Sequence, residues 1–345
     1  MTSTTPKVTV VMITYNHAAY IEQAIQSILS QNCNFVVELI ISNDKSTDET
    51  DAVIKRLINN SNIPQHLSIT YHHHQQNKGM MDNFIWTLNQ ASSKYIALCE
   101  GDDYWTDPLK LQKQVDFLEA NEDFSICGSL AKRIYENFQT QNDVEGEAGV
   151  FDQKDLAQRN FIPTASALIK REHVVNLPSW FTDCPIGDWP LFLLCANHGK
   201  IKMFNQQMVV RRIHQGGVWG ANFNSTASIT NMLALFKLFG IIKNEFNQEV
   251  NNLLNINYIK QVKKLIEFNL KNDDFKPIGS YLQLCFKKEK DLTQEMKQVA
   301  EGIVEKIALQ QKEVIQLKKL NQQLIDSTSY KLGRRITGCF MFFKK

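Results

Sequence analysis

The sequence predicts a doubly wound α/β domain followed by helices and a short coiled coil, and three observations carry this prediction. Apolar, β-branched segments alternate with segments of helical apolar spacing from residue 7 to residue 91. Each predicted strand ends in a polar cluster. The strand at 95–99 runs into three carboxylates within four residues, in the stretch CEGDDYW. Because parallel strands end at one edge of such a sheet, we expect ligands to bind there.

The first elements are read from short apolar runs and from apolar residues spaced three and four apart. Ser46 and Glu49 form the pattern of a capping box that would open the second helix. The strands are placed at 7–14, 36–42, 67–73 and 95–99, and the helices between them at 18–31, 46–57 and 80–91.

The next elements are predicted from turn and cap residues. Asp107 and Pro108 would begin a helix, with the aspartate as its N-cap and proline at the first helical position. Residues 124–130 are expected to return to the sheet. Residues 136–149 are polar and rich in turn formers, which predicts an exposed loop or hairpin tip.

The composition limits the class of protein. A chain of 345 residues with 43% hydrophobic residues can hold a catalytic domain and an appendage, and a net charge of +2 does not indicate nucleic acid as a partner. Seven cysteines without a C-x-x-C pair are expected to be reduced thiols. The N-terminus is polar and no apolar run reaches the roughly 18 residues of a membrane span. We therefore expect a cytoplasmic location, including the cytoplasmic face of the membrane.

The acidic cluster of Glu100, Asp102 and Asp103 predicts a divalent metal site. Like charges this close repel each other, and a hard cation relieves that repulsion. An ordinary acidic turn is the alternative. Polar residues that follow the other strands favour the metal, because they meet the cluster at one sheet edge; they are Tyr15, Asn16, Asn43, Asp44, Asn77 and Gly79.

Four motifs resemble the family 2 glycosyltransferases, and the resemblance covers roughly residues 7–215. They are VTVVMITYNHAAYIEQAIQSILSQ, LIISNDKSTDET, QNKGMMDNF and CEGDDYW. The resemblance implies a GT-A fold, a Rossmann-like mixed sheet. It also implies a nucleotide-sugar donor, by default a UDP-sugar, whose diphosphate is bridged to the acidic cluster by Mn²⁺ or Mg²⁺. The sugar would move with inversion to a glycan or lipid-linked acceptor, in the assembly of cell-surface polysaccharide.

The resemblance also assigns roles to residues. Asp102 would hold the metal and Asp44 would contact the base ring. The other residues placed around the nucleotide-sugar are Thr14, Tyr15, Asn16, Asn77, Gly79, Glu100 and Asp103. Two positions depart from the family, which often has aspartate where this chain has Glu100 and arginine where it has Gln76. The first leaves the role of Glu100 open, and the second removes a cation from the donor side.

The later part of the predicted catalytic domain contributes three further candidate site residues, Asp188, Arg212 and His214. Displacement of the donor needs a base for the acceptor hydroxyl, and the family places it in an acidic residue at the start of a helix, which implies Asp188. A plain helix N-cap is the alternative for this residue. Arg212 and His214 match an R-x-H-x-x-G element and are assigned to the diphosphate or the metal, with a surface strand end as the alternative. The run His72–His74 cannot converge on one metal, since strand residues alternate faces.

The C-terminal part is expected to form three segments after a catalytic domain at 1–220: a helical extension at 221–290, a coiled coil at 291–327 and a basic amphipathic tail at 328–345. Heptad spacing, with Asn321 at a seam position, indicates a parallel homodimer, which light scattering would detect. The tail would contact an anionic membrane, or else be a solvated, disordered segment.

Two alternatives to a glycosyltransferase are open. A nucleotidyltransferase that makes sugar nucleotides has a related fold but an N-terminal glycine-rich loop, and the segment MITYNHAAY contains no glycine. A non-catalytic assembly protein could retain the fold and recruit partners through the coiled coil. Asp102 and Asp188 argue against the second alternative, and donor hydrolysis would decide it.

Overall fold

A computed structural model describes residues 5–60, 62–136, 142–217, 225–271, 309, 312, 315–320 and 322–323. The chain divides into two compact units, residues 1–261 and 262–345. The sheet, its covering helices and the candidate site all belong to the first unit.

Strands and helices alternate through most of the described chain. The strands are β1 (Val8–Thr14), β2 (Val37–Asn43), β3 (Leu67–His73), β4 (Tyr95–Leu98), β5 (Tyr104–Trp105), β6 (Phe124–Tyr135), β7 (Asp143–Glu145), β8 (Gly149–Phe151), β9 (Leu168–Lys170) and β10 (Lys200–Ile213). The helices are α1 (Ile21–Leu29), α2 (Thr50–Asn60), α3 (Met80–Gln90), α4 (Lys110–Ala120), α5 (Gln153–Gln158), α6 (Asp188–Ala196), α7 (Ser225–Ile242) and α8 (Gln248–Lys271).

One mixed sheet organises this unit, in the order β3-β2-β1-β4-β9-β6-β10-β5. β1 pairs in parallel with β2 and β4, and β2 pairs in parallel with β3. β9 is antiparallel to both of its neighbours, β4 and β6. The carboxyl ends of β1, β2 and β4 therefore meet at one edge, as predicted, and the antiparallel strand makes the sheet mixed.

The apolar pattern of the first segments explains their packing. β1 carries the run VTVVMIT, and its apolar residues other than Ile13 are buried because helices cover both faces of this part of the sheet. In α1, Ile21, Ala24, Ile25 and Ile28 are fully buried at helical spacing. These side chains belong to one apolar cluster with residues of β2 and α4.

Two helix starts differ from the prediction. The predicted capping box at Ser46 is wrong, because α2 begins only at Thr50. The backbone N–H of Thr50 donates to Asp48 Oδ1 at 3.0 Å. Ser46 instead accepts a hydrogen bond from the backbone of Asn16. The helix predicted from Asp107 begins three residues later, at Lys110, because 107–109 form a turn in which Asp107 accepts from the Leu109 N–H.

The structure adds strands that the sequence did not indicate. Residues 104–105 form β5, which pairs with β10 but is too short to give a period-two signal. Within the predicted loop 136–149, β7 pairs with β6 to form a hairpin. The expected hairpin is therefore present, and its second strand extends the sheet next to the candidate site.

Lys110 is a buried cation in the core beneath the site. Its side chain is fully buried, its ammonium donates to Gln114 Oε1 at 2.9 Å, and Nζ lies 4.0 Å from the centroid of the Trp105 ring. Burial lowers the pKa of Lys110 to about 7, since desolvation disfavours the charged form.

We expect Lys110→Met to remove a pH dependence of stability. Between pH 7 and about 10.4 the unfolded chain protonates this lysine and the folded chain does not, so the free energy of unfolding rises with pH by up to about 1.4 kcal/mol per pH unit. Below pH 7 the penalty of burying the charge is fully present in the parent. Urea unfolding of both proteins from pH 6 to 10 measures the difference in slope, and identical slopes would contradict the prediction.

Most of the predicted C-terminal segments lie outside the described residues. Among the residues that define the coiled-coil seam, Leu317 is described; it lies in a helical segment and is 64% exposed. The basic tail at 328–345 is outside the described residues entirely. None of the helices in the described part of the chain combines the length and apolar character that a membrane span requires.

Candidate active site

The turn after β1 is fastened to the turn after β2. Asn16 has φ 56°, a left-handed conformation that asparagine tolerates. Its Oδ1 accepts from the Thr47 N–H at 2.8 Å, and its own N–H donates to Ser46 Oγ at 2.9 Å. Thr14 is buried at the end of β1, whereas Tyr15 is 44% exposed. The three predicted residues therefore lie at the sheet edge, with the Tyr15 ring open to solvent.

Asp44 shapes the loop that contains Asn77 and Gly79. Its carboxylate accepts from the backbone N–H groups of Lys78 at 2.7 Å and Gly79 at 2.9 Å, and Asn77 Nδ2 donates to its carbonyl at 3.0 Å. Gly79 has φ 86°, which favours glycine. The structure thus brings these three predicted residues together. Contact of Asp44 with a base ring stays a prediction.

Gly101 allows the acidic turn to approach the turn after β1. A Cβ at this position would lie 2.6 Å from Thr14 Oγ1 and 3.0 Å from His17 Nδ1. A larger residue would push the two turns apart. The glycine in CEGDDYW therefore has a steric role, because it sets Asp102 close to His17.

Asp102, His17 and His214 form a cluster with the geometry of a metal site. His214 Nε2 lies 3.1 Å and His17 Nε2 lies 3.8 Å from Asp102 Oδ2. One ligand atom from each of the three residues lies within 4.8 Å of the others. Thr14 Oγ1 is 3.2 Å from His17 Nδ1, which orients the ring with Nε2 toward Asp102.

The electrostatics of this cluster suit a cation. Burial opposes ionisation of Asp102, but His17 and His214 outweigh it and lower the pKa of this carboxyl to about 2. Burial lowers the pKa of His17, which keeps its imidazole neutral and its lone pair available. Two imidazole nitrogens and one carboxylate oxygen are a donor set that Mn²⁺ accepts more readily than Mg²⁺, which prefers oxygen alone.

Arg212 supports Asp102. Its Nη1 donates to the Asp102 carbonyl, its Nη2 donates to Gln23 Oε1, and its Nε lies 3.4 Å from Glu136 Oε1. The rings of Tyr20 and Tyr104 lie 5.1 and 4.5 Å from the guanidinium carbon. Through these contacts the guanidinium holds the acidic turn at residues 100–103 in place. The prediction that it contacts a diphosphate directly stays untested.

The two other carboxyls of the acidic turn differ in their partners. Asp103 Oδ1 accepts from the Arg212 N–H at 2.9 Å, and burial, then Asp102, raise its pKa well above the usual range. Glu100 Oε2 is buried and accepts no hydrogen bond from the described residues. Burial, followed by repulsion from Asp102, raises the pKa of Glu100 to about 8. Both carboxyls line the same cavity as Asp102.

Asp188 is not a helix N-cap. It is the first residue of α6, Gly187 precedes it, and no side-chain cap is formed there. Its Oδ2 accepts from Asn160 Nδ2 at 3.2 Å and from Thr164 Oγ1 at 3.1 Å. Gly187 permits this placement, because a Cβ there would lie 2.7 Å from the Phe84 ring on α3. The carboxylate is therefore held by side chains and not by its own helix.

One cavity of about 130 Å³ is lined both by the acidic cluster at Asp102 and by Asp188. Its lining includes Glu100, Asp102 and Asp103 at one side and Gly187 and Asp188 at another. Apolar lining comes from Met80, Met81 and Phe84 of α3 and from three isoleucines outside that helix, Ile13, Ile186 and Ile213. A ligand in this cavity thus contacts the metal-site aspartate and Asp188 together.

Residues 9–174 match the model of glycosyl transferase family 2. These residues, which are just under half of the chain, form a glycosyl transferase family 2 domain. This assignment agrees with the four motifs and argues against a nucleotidyltransferase.

Known relatives of this protein differ in how much of the chain they cover. An uncharacterized Mycobacterium tuberculosis protein is 36% identical over 216 residues, which are 61% of this chain and 60% of the relative. A putative teichuronic acid biosynthesis glycosyltransferase of Bacillus subtilis, TuaG, is 32% identical over 129 residues, 37% of this chain and 48% of that protein. The chain thus spans about 60% of the length of the mycobacterial relative.

A solved structure shares the fold. The mannosyltransferase PcManGT from Pyrobaculum calidifontis, in complex with GDP-Man and Mn²⁺, superposes with a TM-score of 0.56 at 14% identity. The superposition covers 95% of this chain and 82% of that protein. The predicted GT-A fold, a mixed α/β sheet with helices, is therefore confirmed.

Several site residues were not predicted from the sequence. His17 lies in the turn directly after β1, and its place at the sheet edge was a usable signal. Asn160, Thr164 and Arg211 gave no such signal. Arg211 lines the same cavity as Asp188, together with the predicted Arg212.

Proposed function

We propose that the protein is an inverting, metal-dependent glycosyltransferase that moves a sugar from a nucleotide-sugar to an acceptor hydroxyl. The observation that carries this proposal is the single cavity lined by Asp102 of the His–Asp–His cluster and by Asp188. One wall offers a cation site for a diphosphate and another offers a carboxylate for a proton. A single displacement needs these two groups together.

The cluster of His17, Asp102 and His214 would bind the donor through a metal ion. His17, Asp102 and His214 would hold Mn²⁺, which when bound neutralises the charge that develops on the leaving diphosphate. Arg212 holds the backbone of Asp102, so the carboxylate stays in place without substrate. Tyr15 and the loop at Asn77 and Gly79 lie at the same edge and would contact the nucleotide.

Asp188 would act as the base. Both hydrogen bonds that it accepts from described residues go to Oδ2, which leaves Oδ1 for the proton of the acceptor hydroxyl. As that proton moves to Asp188, the acceptor oxygen bonds to the anomeric carbon and the bond to the diphosphate breaks. Attack from the face opposite the leaving group inverts the anomeric centre.

The biological setting is drawn from relatives. TuaG is named for teichuronic acid biosynthesis, which supports a role in polysaccharide assembly. That this assembly takes place at the cytoplasmic face of the membrane stays a prediction. PcManGT was solved with GDP-Man and Mn²⁺, which supports a nucleotide-sugar donor and manganese. A lipid-linked or glycan acceptor, a parallel homodimer and contact of the C-terminal tail with an anionic membrane remain predictions.

We expect one class of nucleotide-sugar to stabilise the protein in the presence of manganese. A ligand at a hundred times its Kd adds about 2.7 kcal/mol of stability, which raises Tm by several degrees. Thermal shift with UDP-, GDP- and dTDP-sugars, with Mn²⁺, Mg²⁺ or chelator, measures this effect. Release of nucleoside diphosphate from the selected donor then tests turnover. A donor that binds but is never cleaved or transferred would indicate a non-catalytic protein.

A further inference from the structure

A second cavity lies on the other side of Asp188. It has a volume of about 540 Å³ and shares Thr164, Ile186, Asp188, Arg211 and Ile213 with the first cavity. The remaining lining residues are Arg133, Tyr135, Glu145, Asn160, Ile162, Trp189, Asn231 and Leu235. Asp188 and both residues that donate to it, Asn160 and Thr164, line this space. The candidate base therefore faces two cavities.

The hairpin of β6 and β7 builds the charged wall of this second cavity. Arg133 and Tyr135 are two residues apart on β6 and so share a face of the strand. Glu145 on β7 is opposite Ala131 in the register, and Asp143 is opposite Arg133. Asp143 accepts from Arg133 Nε at 2.7 Å, which fixes the guanidinium at the cavity wall.

Glu145 has one occupied and one unoccupied carboxylate oxygen. Oε1 accepts from Arg211 Nη1 at 2.6 Å. Oε2 is buried and accepts no hydrogen bond from any described residue. A buried acceptor without a partner is costly, and a ligand that donates a hydrogen bond would remove that cost. A hydroxyl donates such a bond, whereas a carboxylate or phosphate would be repelled.

The cavity as a whole has balanced charge. Two guanidinium groups, of Arg133 and Arg211, face two carboxylates, of Glu145 and Asp188. Trp189 and Leu235 add apolar surface suited to the C–H face of a sugar ring. This combination favours an uncharged ligand with several hydroxyls over an anionic sugar.

We propose that this second cavity binds the acceptor as an uncharged sugar unit and that Glu145 accepts a hydrogen bond from one of its hydroxyls. A neighbouring hydroxyl then lies at Asp188. The inference rests on the proposed function for the transfer step. In that step the hydroxyl proton goes to Asp188, the oxygen bonds to the anomeric carbon, and the electron pair of the broken bond leaves with the nucleoside diphosphate.

Binding of simple glycosides tests the inference without turnover. The probes are methyl glycosides of glucose, galactose, mannose, rhamnose and N-acetylglucosamine, with methyl glucuronide as the anionic probe, observed by saturation-transfer NMR on the full chain. We expect saturable binding of at least one neutral glycoside and weaker binding of the glucuronide. Glu145→Gln should weaken binding about tenfold or more, since hydrogen bonds to charged groups carry about 1.5–3 kcal/mol.

Glu147→Gln is the matched control, because Glu147 follows β7 closely, pairs with Arg159 and does not line the cavity. It should bind the glycosides as the parent does. If Glu145→Gln does not fold, Arg133→Gln removes a donor from the same wall and should also weaken binding.

The outcomes separate this inference from the proposed function. Absence of binding by every glycoside, equal binding by the parent and the Glu145→Gln variant, or equal affinity for the glucuronide would overturn the inference, whatever donor hydrolysis shows. Glycoside binding that depends on Glu145, in a protein that cleaves no nucleotide-sugar, would leave the sugar site standing and reject the proposed glycosyl transfer.

Discussion

Asp188→Asn should lower turnover by at least about a hundredfold, the low end of what a general base contributes. Asparagine keeps the shape of the side chain and can still accept from Asn160 and Thr164 through one oxygen. It cannot take the acceptor proton. Because the cluster of His17, Asp102 and His214 is unchanged, the thermal shift with donor and manganese should stay as in the parent.

Asp183→Asn is the control for this variant. Asp183 is an exposed acid five residues before Asp188, at the end of the preceding 3₁₀ turn, and lines neither cavity. It should retain full turnover. Steady-state kinetics with the selected donor measure both variants. Near-normal transfer by Asp188→Asn would mean that another group removes the proton.

The backbone of this protein was largely predictable, because its signals are local. β3 has the predicted bounds, β1 and β4 differ from theirs by one residue at one end, and β2 is shifted by one residue at both ends. Apolar periodicity fixes such elements without knowledge of the rest of the chain. Local signals failed at helix starts, where Asp48 caps α2 through a contact that also includes the Ala18 N–H, 30 residues earlier.

The site was predictable only where a motif marks it. Asp102 and His214 were singled out from separate motifs, but their meeting across 112 residues, with His17 beside them, is a result of the fold. Arg211 and Arg212 show most clearly what could not be predicted from the sequence. Arg212 turns to the Asp102 carbonyl and Arg211 to Glu145, and strand alternation alone could not say which face holds the ligand.

The second large effect is expected at Asp102, where alanine should abolish manganese-dependent donor binding. In this variant His17 and His214 would offer two imidazole ligands, and the cation would lose the one carboxylate of the cluster. The fold should survive, because Asp102 is a main source of the repulsion that raises the pKa values of Glu100 and Asp103. Removing it relieves that repulsion.

Titration of Mn²⁺ alone, followed by electron paramagnetic resonance, measures this loss without any activity assay. Asp116→Ala is the control, since Asp116 is an exposed acid on α4 that lies outside the cluster. The parent and the control should bind one ion at the cluster, while Asp102→Ala should bind it at least about tenfold more weakly, as even loss of an outer-shell partner costs 10- to 100-fold. His17→Ala should also weaken binding of the ion, because His17 is one of the three ligands of the cluster. Unchanged affinity for Mn²⁺ in Asp102→Ala would show that this carboxylate is not a metal ligand. The proposal that a metal at Asp102 holds the diphosphate opposite Asp188 would then be wrong.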